Sequence, residues 1–289
     1  MDYRLGLYEK SMPNALTLEE KLRAAGEAGF DFMELSVDES DEKLARLKWS
    51  ASERLGVLRS MNETGIRIGS MCLSGHRRFP IGSEDRQIRA RGMEIMRGAV
   101  GLASDLGVCI IQIAGYDEYY NPSNAETERL FAENLRESVE YAAKMGVTLA
   151  FETMETPFMD TVGKAMKYVS MINSPFLHVY PDLGNITNAA LTYGHSVESD
   201  LLSGAGHIAA LHLKESKPGV YREVPFGTGH VDFAGGIKTA RSIGVRLFVG
   251  EFWHDGGDDW REKLREAHAF LCQDLGGSAP NAPARDFVP

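Results

Sequence analysis

At 289 residues, a formal net charge of -10 and 43% hydrophobic content, the chain can bury a sizeable core, and its acidic balance disfavours a broad nucleic-acid-binding face. Three cysteines, Cys72, Cys109 and Cys272, none in a CxxC, exclude a disulfide framework and point to a reducing, cytoplasmic setting. The charged start MDYRLGLYEK is no apolar signal core, and no run of about 18 apolar residues predicts a membrane span.

RLGLY opens the chain as a first strand. A helix is predicted over Thr17 to Ala28, followed by the strand in AGFDFMELS. Ser50 to Glu63 reads as a helix, TGIRIGSMCLS as strand three, Ile88 to Ser104 as a helix and LGVCIIQIAG as strand four. Ser123-x-x-Glu126 has the capping-box pattern. Phe131, Leu135, Val139 and Ala142 then share one helical face, and Gly146 closes the helix. MGVTLAFET gives strand five, Met159 to Ile172 a helix, FLHVYPDLG strand six, and Ser196 to Ser203 a short helix. AGHIAALHLKE, the helix Asp232 to Ser242, IGVRLFVGEFW and the helix Asp258 to Leu271 complete the alternation.

Six of the eight strands follow a glycine, the residue that ends a helix in left-handed geometry. The strands are rich in Ile, Val, Leu and Phe, as strands covered on both faces are. The pattern predicts an α/β fold, a single (β/α)8 TIM barrel over residues 1–275, with an open doubly wound sheet as the rival. The tail GGSAPNAPARDFVP is read as an extension over 276–289.

Such a barrel places its chemistry at the carboxyl ends of its strands. Strands five to eight end on Glu152, Asp182, His212 and Glu251. Three carboxylates and one imidazole around a common point suit one divalent cation, manganese, magnesium, cobalt or zinc. A lone strand-end acid is commonly a helix cap, but four in succession are hard to explain that way. His178 and His207 lie near strand starts or middles and are read as packing residues. For an anionic substrate group the richest candidate is SGHRRFP, with His76, Arg77 and Arg78, because a guanidinium fork donates paired hydrogen bonds to phosphate. Lys10, Lys214, Lys217 and Arg222 also follow strands, so these residues alone do not single out one phosphate ligand. No GxxxxGK[ST] supports a nucleotide P-loop.

The stretches ELSVDESDEKLARLKWS, SMCLSGHRRFPIGSED, IQIAGYDEYY, VYPDLGN, HIAALHLKESKPGVYREVPFGTGHVDF and GEFW resemble the L-ribulose-5-phosphate 3-epimerases. These enzymes, also called L-xylulose-5-phosphate 3-epimerases, belong to the xylose-isomerase-like barrel superfamily. The resemblance spans about Arg4 to Leu275. It implies a metal-dependent epimerase of a ketopentose 5-phosphate, with Glu152, Asp182, His212 and Glu251 as ligands and the two glutamates as the catalytic pair. Arg222 matches a substrate contact. Asn185, a further substrate contact, stands where ketose 3-epimerases of free sugars carry histidine, which favours a phosphorylated substrate. The expected assembly is a homo-oligomer, a dimer first, with no nucleic-acid or membrane partner. Rival readings are a related sugar isomerase, dehydratase or free-ketose 3-epimerase, an abasic-site endonuclease, and a non-catalytic sugar-phosphate-binding barrel. Only eight scattered histidines and the acidic balance oppose the endonuclease.

Overall fold

β1 (Arg4–Tyr8) pairs in parallel with β2 (Phe32–Val37) on one side and with β8 (Leu247–Gly250) on the other. β3 (Arg67–Leu73), β4 (Ile110–Ala114), β5 (Thr148–Glu152) and β6 (Leu177–Val179) follow outward from β2, and β7 (Leu211–Leu213) lies beyond β8. Parallel bridges Val179–Ile208 and Asp182–His212 join the two edges. The sheet therefore closes on itself as the expected (β/α)8 barrel, and the open doubly wound sheet is set aside. This computed structural model describes residues 3–276. From residue 277 onward the expected extension lies outside them.

The helices are α1 (Leu18–Glu27), α2 (Asp41–Ala45), α3 (Ala51–Thr64), α4 (Arg86–Leu106) and α5 (Ala125–Lys144), then α6 (Val162–Ile172), α7 (Leu183–Tyr193), α8 (Val197–Ser203), α9 (Phe233–Ser242) and α10 (Trp260–Leu275). Capping boxes at Thr17–Glu20 and Ser50–Glu53 start α1 and α3 by satisfying backbone N–H groups that have no partner in the helix. The glycines that precede strands, Gly29, Gly65, Gly107, Gly146, Gly206 and Gly244, all have φ between 70° and 101°. Each turns the chain from helix to strand in a conformation costly for residues with a Cβ.

Three expectations change. The cap of α5 is Asn124, reciprocated by Thr127, because Ser123 instead donates to the Asp117 carboxylate at 2.5 Å. The connection after β6 holds a full helix, α7, before the expected short one. α2, unforeseen, is capped by Ser40.

Strand alternation sorts the side chains. One face packs against the helices through residues such as Leu5, Met33, Leu149 and Phe248. The other fills the barrel, where Tyr8, Phe32, Cys72, Ala150, Tyr180 and Val249 meet. Gly6 and Gly69 make room for the Phe32 ring: a Cβ at either would sit 2.3 or 2.5 Å from it. Ala150 and Val249 thus set the direction of the residues two positions on, Glu152 and Glu251, toward the barrel axis.

Candidate active site

The predicted strand-end residues converge. One donor atom from each of Glu152, Asp182, His212 and Glu251 lies within 4.8 Å of every other, and all four residues are buried. His212 is fixed on both sides. Its Nε2 lies 2.6 Å from Glu34 Oε1, and its Nδ1 lies 3.0 Å from Glu251 Oε2, 3.9 Å from Asp182 Oδ2 and 4.0 Å from Glu152 Oε1. Were a cation held there, a proton on Nε2 donated to Glu34 would leave the Nδ1 lone pair for the ion, the arrangement in which a buried carboxylate orients a metal-binding imidazole. Glu34 is itself held by Ser70 Oγ at 2.6 Å and the Tyr180 hydroxyl at 3.0 Å. The Gln112 amide lies 3.2 Å from both ring nitrogens.

Asp182 divides its two oxygens. Oδ1 caps α7 by accepting from Asn185 N at 2.7 Å, and it lies 3.3 Å from Lys214 Nζ. Oδ2 is buried and has no hydrogen-bond partner among the described residues. Leaving such an oxygen unpaired is costly unless something else binds it. The same holds for Asn185 Oδ1, while Asn185 Nδ2 donates to Thr153 O at 2.7 Å.

Charge makes the same point. Burial, reinforced by Glu251, pushes the Glu152 carboxyl up to about 8. Burial likewise raises Asp182 to about 7, against the pull of Lys214. Burial opposes ionisation of Glu251, but Lys214 and His212 override it and hold that carboxyl well below its usual range. His212 moves the other way: burial lowers its pKa, yet Glu34 and Glu251 together hold it well above the usual imidazole value. Four buried carboxyl groups, Glu34 included, thus crowd together with Lys214 and His212 as their direct ion-pair partners among the described residues. A divalent cation fits both the donor set and the charge deficit.

The other candidates separate. Arg77, Asn185 and Arg222 line a chamber of about 50 Å³ beside Glu152 and Glu251, together with Lys10, Ser74 and Lys214. Arg222 Nη2 reaches Glu155 Oε1 at 2.9 Å, and Glu155 also accepts from the Tyr119 hydroxyl at 2.7 Å. The Arg77 guanidinium lies 4.5 Å over the Tyr119 ring. His76 is not in the chamber: it is buried, its Nε2 is 3.1 Å from Gly92 O, and burial pushes its pKa down to about 4. Arg78 lies on the surface, paired with Asp41 at 2.9 Å. Lys217 is exposed on a turn. His178 and His207 pack against one another, ring centres 5.8 Å apart.

Glu34, Gln112 and Glu155 are the site residues that strand-end reasoning passed over. Glu34 and Gln112 carried a signal: each is the one polar, inward-facing interruption of an apolar run, FMEL and IIQI.

Comparison with known proteins places this geometry. The family model described as xylose isomerase-like TIM barrel matches residues 22–273. L-ribulose-5-phosphate 3-epimerase UlaE of Escherichia coli (strain SE11) is 47% identical over 268 residues, 92% of this chain and 93% of that protein. Among solved structures, a D-psicose 3-epimerase crystallised in the presence of D-fructose superposes with a TM-score of 0.78 at 18% identity, over 95% of this chain and 100% of that one. An L-ribulose 3-epimerase does so with a TM-score of 0.75 at 19% identity, over 95% of each chain. At these identities the two structures speak to the fold alone, whereas the match to UlaE covers nearly every residue: the chain belongs to the L-ribulose-5-phosphate 3-epimerase family of the xylose isomerase-like TIM barrels.

Proposed function

We propose that this protein is an isomerase that inverts carbon 3 of a ketopentose 5-phosphate, interconverting L-ribulose 5-phosphate and L-xylulose 5-phosphate. The observation that carries the reading is the convergence of Glu152, Asp182, His212 and Glu251 at the mouth of the barrel, in a chain 47% identical to an enzyme named for this reaction.

Inversion next to a carbonyl needs a proton removed from one face of carbon 3 and returned to the other. Glu152 ends β5 and Glu251 directly follows β8, strands that are not neighbours, and this supports one carboxylate acting on each face. Either takes the proton in one direction of the reaction and delivers it in the other. Asp182 and His212, each locked by a second interaction, would complete the ligand set. A divalent cation held there would supply Lewis-acid stabilisation of the negative charge that develops beside carbon 3. Asn185, with its free Oδ1, and Arg222 at the rim would orient the substrate's hydroxyls. The ion's identity, a homodimeric state and a cytoplasmic location belong to the same proposal, to be read by metal analysis, light scattering and cell fractionation.

The test is epimerisation of L-ribulose 5-phosphate by metal-loaded protein, followed by exchange of the carbon 3 proton with deuterated solvent. Inversion with deuterium at carbon 3 is the expected result. Exchange at carbon 1 with aldose formation would make the protein an isomerase of the 1,2-carbonyl type. Turnover of free L-ribulose as efficient as that of its 5-phosphate would remove the phosphate from the assignment.

A further inference from the structure

The connection from β7 to α9, residues 214–232, contains no helix or strand, only the bridge Lys217–Val220. A connection of that length in a compact barrel keeps its shape only through its own contacts. It borders two spaces. Arg222 lines the chamber, whereas Glu223, Val224, Pro225 and Phe226 line a larger cavity of about 740 Å³ against α10. The division falls at Glu223, whose φ is 59°. That left-handed backbone is costly for a residue with a Cβ. It sends Arg222 one way and Phe226 the other, where Phe226 packs on Phe233, Phe252 and Phe270.

A second observation lies at the base of the loop. Glu215 is buried, and its two oxygens are taken by three backbone N–H groups. Oε1 accepts from Ser216 N at 3.1 Å and Val231 N at 3.2 Å, and Oε2 accepts from Gly227 N at 3.0 Å. One side chain therefore ties the outgoing end of the loop to the returning end. The approach is so close that a Cβ on Gly229 would sit 2.1 Å from Ser216 O and 2.3 Å from Glu215 Oε1. Ser216 Oγ adds a tie 3.1 Å from His230 Nε2, and Gly219 N donates to Asn188 Oδ1 on α7 at 3.0 Å. The Arg222–Glu155 pair is 2.9 Å apart, but the arginine side chain is 41% exposed, and a pair that open to water holds weakly by itself. The position of Arg222 is set mainly by the loop that carries it.

We propose that Glu215 is a positioning residue of the reaction: by clamping the two ends of the loop, with the left-handed turn at Glu223, it sets the Arg222 guanidinium at the rim of the chamber. The inference rests on the reading of Arg222 as a substrate contact and deepens it. Glu215 does not line the chamber and acts through Arg222. Glutamine in its place offers one acceptor oxygen where the three N–H groups need two, so an amide nitrogen faces either Gly227 N or the Ser216 and Val231 amides.

The experiment measures KM and kcat for L-ribulose 5-phosphate in wild type, Glu215→Gln, Arg222→Ala and the double variant at equal metal content. Glu215→Gln should raise KM about tenfold with a smaller change in kcat. In the Arg222→Ala background the same substitution should cost less than about twofold, because the contact it serves is already gone. Equal losses in both backgrounds, or an unchanged KM, would overturn the proposal. Should Glu215→Gln fail to fold, the exposed Glu223 decides. Glu223→Val disfavours the left-handed backbone and should raise KM more than Glu223→Gly, which keeps it; equal effects would overturn the role of the loop. A separate arm reads the clamp without turnover. In Glu215→Gln the amides of Gly227 and Val231 should lose protection from hydrogen exchange while those of Leu211 and Leu213 in β7 keep theirs. An equal loss through β7 would make Glu215 a general stabiliser and end its positioning role. A wild type with the clamp intact that epimerises nothing keeps the loop geometry and ends the epimerase reading.

Discussion

Glu34 governs which nitrogen of His212 faces Glu152, Asp182 and Glu251, and it does so from inside the barrel, away from the chamber. Replacing it with glutamine removes the negative charge that makes the imidazole a stronger donor, while the Ser70 and Tyr180 partners remain. Metal affinity in Glu34→Gln should fall by about tenfold to a hundredfold, read by competition with a chromogenic chelator. Unchanged affinity would mean that Glu34 serves packing alone. Glu251→Gln probes the reaction itself. It retains a side-chain oxygen and loses the proposed base, so turnover should drop on the order of a hundred- to ten-thousandfold at equal metal content. Near-normal inversion by the metal-loaded variant would leave Glu251 as a ligand only. His76 acts on stability rather than chemistry. It titrates at about 4 in the fold against 6.5 when free, so the unfolded chain takes up its proton first as the pH falls. Its neutral burial therefore stabilises fully above about pH 6.5, and that contribution, on the order of 3 kcal/mol, is lost on descending to about pH 4. Melting wild type and His76→Gln at pH 7 and pH 5 should show the smaller acid shift in the variant.

At the scale of elements, α7 shows why a helix can escape a reading of its sequence. LGNITNAALTY has no polar stripe to set against an apolar one, because Leu183, Gly184, Asn185, Ile186, Asn188, Ala189 and Ala190 are all buried. Its start signal, Asp182, was legible only as a ligand, although the residue is also the N-cap. Asp182→Ala should thus do two things: release the metal, and cost about 1 kcal/mol of stability for the lost cap. Asp182→Asn, which keeps an oxygen for the cap, should release metal with the smaller loss in urea midpoint. Equal destabilisation in the two would show that the cap carries none of the cost. The strands, by contrast, were legible throughout, since each couples an apolar run to a glycine or turn that fixes where it begins. The convergence of Glu152, Asp182, His212 and Glu251 was legible for the same reason: a charge that ends such a run is conspicuous. Glu34 was only half legible: it interrupts an apolar run, but a polar residue within a strand looks the same whether it faces solvent or the barrel. His76 and Arg77 could not be told apart from the sequence. They are adjacent, yet the short turn after β3 sends one beneath α4 and the other over Tyr119.

For the whole molecule, the place where the barrel closes is also its thinnest. β6 and β7 have three residues each. They meet through isolated bridges, with Val179 N donating to His207 O at 2.8 Å, Ala209 N to Val179 O at 2.9 Å and His212 N to Pro181 O at 2.9 Å. One of those bridges pairs Asp182 with His212, two of the four proposed ligands. A cation gripped by both would act as a clasp on the hoop, adding about 2.7 kcal/mol when present at a hundred times its dissociation constant. Hydrogen exchange before and after chelation reads this directly. Amides of Val179, Ala209 and His212 should lose protection first, while those pairing β1 with β2 change little. A uniform change around the barrel would disprove the clasp. In a cell short of metal, such a protein would not linger as an intact but idle enzyme. It would loosen along one seam, beside the two side chains proposed to grip the ion, and present itself there to proteases.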